Sequence, residues 1–309
     1  MKCTRFCPAK VNLFLEVTGK RPNGYHELAT LFAKISLGDQ ITVDATAAKK
    51  TSLSLQITGP RRRDIPANAH NLVCKAAQAF LDHYCLQAHI QLKLDKHIPT
   101  GAGLGGGSSD AAGVLLALCE IFHKDPMDLV EVAAQLGADV PLFLYPQTFL
   151  KGEGIGEKLT PLPAAENLPY LLLIYPCTAV STKQVFARMC VPPIEDILTN
   201  TAKLDRLIDA VKNGLPAKEW GPLLFNRLEE CVLPFVPCVK QTLLALQQAN
   251  DKVGIMSGSG STVFTLVGTK QHVQELAANL QQAKRLVFPV SFYRGPTNAN
   301  YGDKNSSDG

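Results

Sequence analysis

The fold of this chain is decided by residues 99–112, which read Pro99-Thr100-Gly101-Ala102-Gly103-Leu104-Gly105-Gly106-Gly107-Ser108-Ser109-Asp110-Ala111-Ala112. Five of the seven residues from Gly101 to Gly107 are glycines, so backbone groups rather than side chains are expected to bind a ligand here. The alanine- and leucine-rich run that follows is typical of a helix entered from a glycine loop. Such a junction presents unpaired N–H groups and roughly half a positive charge to an anion. Phosphate is therefore the expected ligand.

One class of phosphate loop can be excluded directly. A Walker A loop requires a lysine and then serine or threonine after its last glycine, whereas this loop continues with Ser108 and Ser109. The chain's Gly-Lys pair, Gly19-Lys20, is followed by Arg21 and does not complete the motif either. The loop must hold its anion by another design.

A dinucleotide fingerprint is a second alternative, because Gly101, Gly103 and Gly106 satisfy the spacing G-x-G-x-x-G. That motif also needs an acidic residue at the end of a second strand, about 20 positions further on. Glu120 has the distance but lies in an apolar run with helical periodicity. A plain glycine-rich turn is the third alternative, although a turn rarely needs so many glycines before a helix.

Composition limits the class of protein. The chain has 309 residues, of which 46% are apolar and 19% charged, as in soluble globular proteins. The apolar runs are too short for a membrane span, and the N-terminus lacks the pattern of a signal peptide. Nine cysteines without a C-x-x-C pair favour a reducing cytoplasm over a disulfide framework. The net charge of +4 suits a small anionic ligand, and the cluster Arg61-Arg62-Arg63 is too short to predict nucleic-acid binding.

Hydrophobic periodicity predicts two α+β halves joined near residue 155. Strands are predicted in both halves, with helices between them. Those of the first half are Val11–Val17, His26–Leu37, Gln40–Ala45, Ser52–Thr58 and His89–Leu94. The glycine loop follows the last of these and leads into a helix predicted from Ser108 to Phe122, with serine as its N-cap.

Three separated segments carry a family resemblance. Pro8-Ala9-Lys10-Val11-Asn12-Leu13, the glycine loop, and Ser257-Gly258-Ser259-Gly260-Ser261-Thr262 occur in the order seen in one superfamily of kinases. In this respect the chain resembles the galactokinase–homoserine kinase–mevalonate kinase–phosphomevalonate kinase (GHMP) superfamily. Gly24-Tyr25-His26 and Gly137-Ala138-Asp139-Val140-Pro141 are most similar to its branch that phosphorylates a cytidine diphosphate-linked methylerythritol.

The resemblance implies an α+β fold of two domains. The N-terminal, ATP-binding domain would span residues 1–155 and be similar to domain 2 of ribosomal protein S5. The C-terminal domain would be ferredoxin-like and span residues 156–298, and residues 299–309 are predicted to be a disordered tail. ATP is the implied cofactor, with Mg²⁺ arriving on the nucleotide; which oxygen donor approaches the metal is not indicated. Both a monomer and a homodimer are compatible with the sequence.

The same resemblance implies that Asp139 is the catalytic base and Lys10 its electrostatic partner. A carboxylate beside the acceptor hydroxyl can take its proton, and a cation nearby favours the charged form of that carboxylate. From the residues alone, Asp139 could equally end a helix, and Lys10 could reach the surface from an apolar strand.

The remaining site residues are also implied by the resemblance. Asn12, Tyr25, His26 and Phe186 are assigned to the substrate, with the tyrosine and phenylalanine on either side of the cytosine ring. Residues 99–109 are assigned to ATP, together with Asn71 and Lys96, which match positions that contact adenosine. Two rival functions remain open: a GHMP kinase for homoserine or mevalonate, and a non-catalytic nucleotide-binding regulator. The presence of both Lys10 and Asp139 speaks against the regulator.

Overall fold

The structure is a computed structural model that describes residues 1–63, 65–282 and 284–295. In chain order the strands are β1 (Lys2–Lys20), β2 (His26–Ala47), β3 (Ser52–Thr58), β4 (Ala88–Asp95), β5 (Phe149–Gly154), β6 (Lys158–Leu162), β7 (Tyr170–Tyr175), β8 (Phe225–Asn226), β9 (Ile255–Met256), β10 (Val263–Val267) and β11 (Leu286–Val290). The α-helices are α1 (Leu72–His83), α2 (Gly106–Phe122), α3 (Val130–Leu136), α4 (Thr182–Arg188), α5 (Ile194–Asn213), α6 (Ala217–Trp220), α7 (Glu229–Val232), α8 (Pro237–Ala249) and α9 (Lys270–Leu280).

A long antiparallel hairpin of β1 and β2 forms the spine of the first sheet. Its tight turn carries Gly24 at a φ of 87°, a left-handed conformation that glycine adopts readily. The sequence pattern predicts a break between Leu37 and Gln40, but β2 runs through it without interruption. The reason is a register shift: Pro8 pairs with Gly38 and Ala9 with Ile35, so the irregular residues form a bulge inside one strand.

Seven strands make up the first sheet, in the order β3-β4-β2-β1-β8, with β5 paired to the start of β2 and β6 paired to β5. Helix α2 packs on this sheet and buries Val114, Leu115 and Leu118 completely. Each buried side chain of this size contributes about 1.5–3 kcal/mol. The helix that follows the glycine loop is therefore anchored by its apolar residues to β1 and β2.

The second sheet has four antiparallel strands in the order β11-β7-β10-β9. Helices connect β7 to β9, and α9 connects β10 to β11. This connectivity and order are those of the ferredoxin-like βαββαβ unit. The α+β architecture and the ferredoxin-like second half expected from the sequence are confirmed.

The two sheets share one hydrophobic core, and the alternation of β1 determines which side chains enter it. Ala9, Val11 and Leu13 pack there with residues of β7 and β10. Lys10 and Asn12 alternate with them and point to the opposite face, where the functional site lies. The core is closed by Trp220, which is fully buried against the rings of Phe149 and Phe292.

Strands β5, β6 and β8 were not predicted. The predicted join near residue 155 falls in a glycine-rich stretch, yet Gly152 and Gly154 belong to β5, which pairs with β2. The predicted boundary after residue 155 lies in the turn between β5 and β6, both of which belong to the first sheet. The division into 1–155 and 156–298 therefore stays a prediction, and the predicted tail 299–309 lies outside the described residues.

Candidate active site

A cavity of about 580 Å³ opens between the β1–β2 hairpin, the glycine loop and the start of α2. Most of the residues expected at the site line it. They are Lys10, Asn12, Asn71, Lys96, Pro99, Thr100, Gly101, Ala102, Gly103, Leu104, Gly105, Gly106, Gly107, Ser108, Asp139 and Phe186. Ser109 is buried beneath the loop and does not reach the cavity.

The glycine loop owes its path to three left-handed residues. Gly101, Gly103 and Gly105 have φ angles of 66°, 76° and 68°. A Cβ on Gly103 would lie 2.4 Å from the carbonyl oxygen of Ser257, so only glycine fits between the two loops. The sequence therefore uses these glycines for backbone conformation and close approach.

Helix α2 begins at Gly106, two residues earlier than predicted, and its N-cap is Gly105 rather than a serine. The prediction was wrong because glycine is also accepted at an N-cap and frees Ser108 to face the cavity. The N–H of Ser109 bonds the carbonyl of Gly105 at 2.9 Å, and the N–H groups before it have no acceptor within the helix. A Cβ on Gly107 would meet no described atom within 4 Å, so the helix start faces open space.

The glycine-serine turn of residues 257–262 holds the loop from the second half of the chain. The Ser257 hydroxyl donates to the carbonyl of Gly103 at 3.2 Å, and the N–H of Thr262 donates to the carbonyl of Ala102 at 3.2 Å. On the other side, the N–H of Lys10 donates to the carbonyl of Leu104 at 2.9 Å. The three segments that carry the family resemblance therefore meet at one place.

Lys10 and Asp139 form an ion pair across the cavity, with Lys10 Nζ 3.6 Å from Asp139 Oδ2. Lys10 is buried, while the Asp139 side chain is 36% exposed and open to a ligand. Lys10 Nζ also donates to Asn12 Oδ1 at 2.8 Å, and Asn12 Nδ2 donates to Thr30 Oγ1 at 2.8 Å. This chain of hydrogen bonds fixes the lysine while leaving the carboxylate accessible.

Lys96 has two carboxylate partners that sequence reasoning missed. Its Nζ donates to Asp110 Oδ2 at 2.6 Å and to Asp39 Oδ2, and all three side chains are buried. Burial raises the pKa of Asp110, although the Lys96 ammonium opposes that shift. Burial alone would lower the pKa of Lys96, but the two carboxylates outweigh it and raise that pKa. Asp110 is the fifth residue of α2 and faces this cluster.

Asn71 lines the cavity but also has a local structural role. Its Oδ1 accepts from the N–H of Val73 at 3.1 Å and caps α1, while its Nδ2 donates to the carbonyl of Pro66 at 2.8 Å. Neighbouring Pro66 and Ile65 line the same end of the cavity. The residue therefore shapes the wall opposite the glycine loop.

Of the three ring-bearing residues predicted to bind the substrate, Phe186 lines the cavity, whereas His26 and Tyr25 do not. His26 is buried and stacks on Phe186, with ring centroids 5.6 Å apart and an interplanar angle of 28°. Within the described residues His26 Nε2 is buried with no hydrogen-bond partner. Burial, with a smaller contribution from Lys20, lowers the pKa of His26. Tyr25 is 60% exposed at the hairpin tip and does not line the cavity, so a sandwich of Tyr25 and Phe186 around a ring stays a prediction.

Several cavity residues carried no signal in the sequence. On β2, Phe32 pairs with Asn12 and Thr30 pairs with Leu15, and both β2 residues become cavity residues only through this hairpin register. Ser259 reaches the rim from the second half, where its Oγ is 2.7 Å from Thr182 Oγ1. In the sequence, the glycine-serine motif of residues 257–262 was the feature that pointed to this segment.

Neither a cluster of metal-ligating side chains nor a helix able to cross a membrane occurs in the part of the chain that the structure describes. No group of three His, Cys, Asp or Glu side chains converges there in a way that could hold a metal ion. Within the same residues, no helix combines the length and the hydropathy needed to cross a bilayer.

Comparison with known families supports the pattern of motifs. Residues 71–147 match the family described as GHMP kinases N terminal domain, and residues 204–285 match GHMP kinases C terminal. The first range contains the glycine loop and Asp139. The second begins within α5 and ends after α9, in the half that carries the ferredoxin-like sheet.

Named relatives align over 84–94% of this chain. The 4-diphosphocytidyl-2-C-methyl-D-erythritol kinase of Deinococcus radiodurans is 38% identical over 281 residues, which cover 90% of this chain and 88% of that protein. The enzyme of the same name from Lachnoclostridium phytofermentans is 36% identical, with coverages of 84% and 85%. The one from Methylacidiphilum infernorum is 38% identical, with 94% of each chain covered.

Solved structures agree with this assignment. A crystal structure of 4-(cytidine 5'-diphospho)-2C-methyl-D-erythritol kinase has a TM-score of 0.74 and 33% identity, covering 93% of this chain and 99% of that one. Homoserine kinase from Cytophaga hutchinsonii has a TM-score of 0.77 at 17% identity, which shows the fold alone. With its glycine loop, its Lys10–Asp139 pair and relatives aligned from end to end, this chain belongs to the GHMP kinases, in the family of the 4-diphosphocytidyl-2-C-methyl-D-erythritol kinases.

Proposed function

We propose that this chain transfers the γ-phosphoryl group of ATP to the 2-hydroxyl of 4-diphosphocytidyl-2-C-methyl-D-erythritol, a step of the non-mevalonate isoprenoid pathway. One observation carries the proposal most directly. An accessible carboxylate, Asp139, lies 3.6 Å from the buried Lys10 ammonium in the same cavity as an open helix N-terminus. Phosphoryl transfer needs these two elements together: an anion cradle and a base close to the acceptor.

Asp139 is proposed to take the proton of the acceptor hydroxyl as that oxygen attacks phosphorus. Such a base contributes on the order of 10²- to 10⁴-fold in rate. Lys10 lies 3.6 Å from that carboxylate, where its charge can compensate negative charge on the attacking oxygen. Its hydrogen bond to Asn12 prevents it from swinging away. The pair therefore acts as one unit, with the lysine as the fixed member.

The glycine loop is proposed to bind the triphosphate through backbone N–H groups at the start of α2. Charge-assisted bonds of this kind are shorter and stronger than neutral ones. The absence of side chains from Gly105 to Gly107 lets the phosphates approach the backbone closely.

Mg²⁺ would enter with ATP and supply charge neutralisation on the phosphates. The oxygen donors that face the cavity fit this metal, since Ser108 and the 36% exposed Asp139 both line it. Asp110 also lines the cavity: its Oδ2 accepts from Lys96, while its buried Oδ1 has no hydrogen-bond partner among the described residues.

Recognition of the cytidine end is proposed for the rim of Tyr25, His26 and Phe186. The unpartnered Nε2 of His26 can bond a polar base edge, and Phe186 offers a stacking face. Stacking on an aromatic side chain is worth roughly 1–3 kcal/mol per base. The assignment of substrate over homoserine or mevalonate rests on this rim and on the relatives.

The cellular compartment, the class of ligand and the oligomeric state are proposed in general terms. All nine cysteines lie in the described residues and none forms a disulfide, which supports a reducing, cytoplasmic compartment. The net charge of +4 and the lack of a basic aromatic strip support a small-molecule substrate rather than nucleic acid. A monomer and a homodimer both remain compatible with the described surface.

The test of the catalytic assignment is Asp139→Asn, which keeps the shape of the side chain and removes the base. We expect kcat to fall by about 10²- to 10⁴-fold with little change in the KM for ATP. Asp196→Asn, an exposed change on α5, is the matched control and should leave both constants unchanged. Near-normal turnover by a folded Asp139→Asn variant would remove Asp139 from the mechanism.

A further inference from the structure

Lys96, Asp39 and Asp110 form a buried ionic cluster beside the glycine loop. Their exposed fractions are 4%, 1% and 2%, so water cannot compensate their charges. Lys96 Nζ bonds one oxygen of each carboxylate. Charges this deep in a protein persist only when they are paired and hydrogen-bonded. Two of the three N–H donors of the Lys96 ammonium are therefore occupied before any ligand enters.

The ionic cluster joins three elements that frame the loop. Asp39 belongs to β2, Lys96 directly follows β4, and Asp110 lies in the second turn of α2. Asp39 Oδ1 also accepts the backbone N–H groups of His97 and, at 2.8 Å, of Ile98. The cluster thus holds the chain on both sides of the glycine loop, just before Pro99 and just after Ser109.

Between its two ends the loop is held by hydrogen bonds that its carbonyl groups accept from Ser257, Thr262 and Lys10. Five glycines between Gly101 and Gly107 give it a large conformational entropy when free. A phosphate cradle must nevertheless present its N–H groups in a fixed arrangement before the ligand arrives. Fixing the two ends of such a segment is the direct way to restrict the residues between them.

The charges of the cluster argue against a direct role of Lys96 toward ATP. One ammonium between two carboxylates leaves no surplus positive charge to offer a polyphosphate. Asp110 also lines the cavity and accepts a hydrogen bond from Lys96 through its Oδ2.

We propose that the ionic cluster of Lys96, Asp39 and Asp110 positions the phosphate-binding glycine loop, and that Lys96 acts as a positioning residue rather than as a contact to the nucleotide. This inference rests on the proposed function, because it takes ATP as the ligand of the loop. It assigns Lys96 a role different from the adenosine contact implied by the family resemblance.

The two possible roles of Lys96 predict opposite changes in ATP affinity for the substitution Asp110→Asn. If Lys96 contacts ATP directly, Asp110→Asn frees its charge and removes a repulsive carboxylate, so ATP binds more tightly. If the cluster positions the loop, Asp110→Asn weakens the link between Lys96 and α2, so ATP binds about tenfold less tightly. Adenosine, which has no phosphates, should then bind within about twofold of the wild type.

The experiment is calorimetric titration of the protein with MgATP and, separately, with adenosine, in the absence of acceptor. It compares the wild type with Asp110→Asn, Lys96→Met and the double variant. Because Lys96→Met leaves two buried carboxylates without their cation, thermal unfolding is recorded for each variant, and Asp110→Asn carries the test if Lys96→Met does not fold. Glu120→Gln, which breaks the exposed ion pair with Arg5 at the other end of α2, is the matched control and should leave ATP binding unchanged.

We expect Asp110→Asn to bind ATP more weakly than the wild type and to bind adenosine equally well. We expect the double variant to bind ATP no more weakly than the weaker-binding of the two single variants. Non-additivity of this kind is the signature of residues that form one network. Tighter or unchanged ATP binding in Asp110→Asn would overturn the inference, as would an equal loss for adenosine. A wild-type protein that binds no ATP at all would instead refute the proposed function.

Discussion

Gly107→Ala adds a single methyl group to the proposed phosphate cradle. A Cβ at this position meets no described atom within 4 Å, so the folded protein accepts it without a clash. The backbone is helical there, and φ lies outside the left-handed range. Side chains of a helix point toward its N-terminus. The methyl therefore projects from the start of α2 toward the space where the phosphates would lie.

The size of the effect follows from the bonds at stake. A hydrogen bond from a backbone N–H to a charged group contributes about 1.5–3 kcal/mol. Displacing the phosphates from one such N–H should raise the KM for ATP by about 10- to 100-fold. Stability should not fall, because alanine is favoured over glycine in helices by about 0.5–1 kcal/mol.

Steady-state kinetics with varied ATP, together with a thermal unfolding curve, measure both effects. Gly268→Ala is the matched control: its Cβ also meets nothing within 4 Å, and Gly268 does not line the cavity. That control should retain the KM of the wild type. If Gly107→Ala also retained it, the helix N-terminus would not be the site of the phosphates and the reasoning would fail.

Three further predictions concern other parts of the molecule. Phe186→Ala should raise the KM for the cytidine substrate by about 5- to 100-fold, with the KM for ATP unchanged, in kinetics with each substrate varied. Lys10→Met should lower kcat by at least about 100-fold, because Asp139 loses its cation, and a loss below tenfold would argue against the pair. The third prediction concerns Glu229, whose pKa burial raises to about 7 from an ordinary 4.5. Between those two values the folded protein keeps a proton that the unfolded chain releases. The free energy of unfolding of the wild type therefore falls as the pH rises from about 4.5 to about 7. Glu229→Gln has no such titrating group, so its free energy of unfolding should not fall in this way. Denaturation at pH 5 and pH 8 should show its stability relative to the wild type to be up to about 3 kcal/mol higher at pH 8 than at pH 5.

The parts of the site that the sequence predicted well are those whose chemistry depends on local backbone. The glycine loop was evident in the sequence because its left-handed backbone angles and close contacts require residues without side chains. The placement of Lys10 on β1 could be read from the alternation that buries Ala9 and Val11. Its contact with Asp139 followed from the family resemblance rather than from any local pattern, because the two residues lie in different elements.

What the sequence could not reveal depends on register and on burial. Asp39 looks like an ordinary polar residue at a turn until the bulge in β2 keeps the strand continuous and turns the carboxylate toward Lys96. Helix α2 starts at Gly106 because the loop packs against the turn of residues 257–262, a contact between distant segments. The stack of His26 on Phe186 likewise joins the hairpin to α4.

The central claim is tested most directly by the choice of acceptor. Purified protein is incubated with γ-labelled ATP and Mg²⁺ and with 4-diphosphocytidyl-2-C-methyl-D-erythritol, homoserine or mevalonate, and kcat/KM is measured for each. The account predicts label on the 2-hydroxyl of the cytidine substrate, with kcat/KM at least about 100-fold above that of either simple alcohol, a difference of about 2.7 kcal/mol. Faster phosphorylation of homoserine or mevalonate would contradict it.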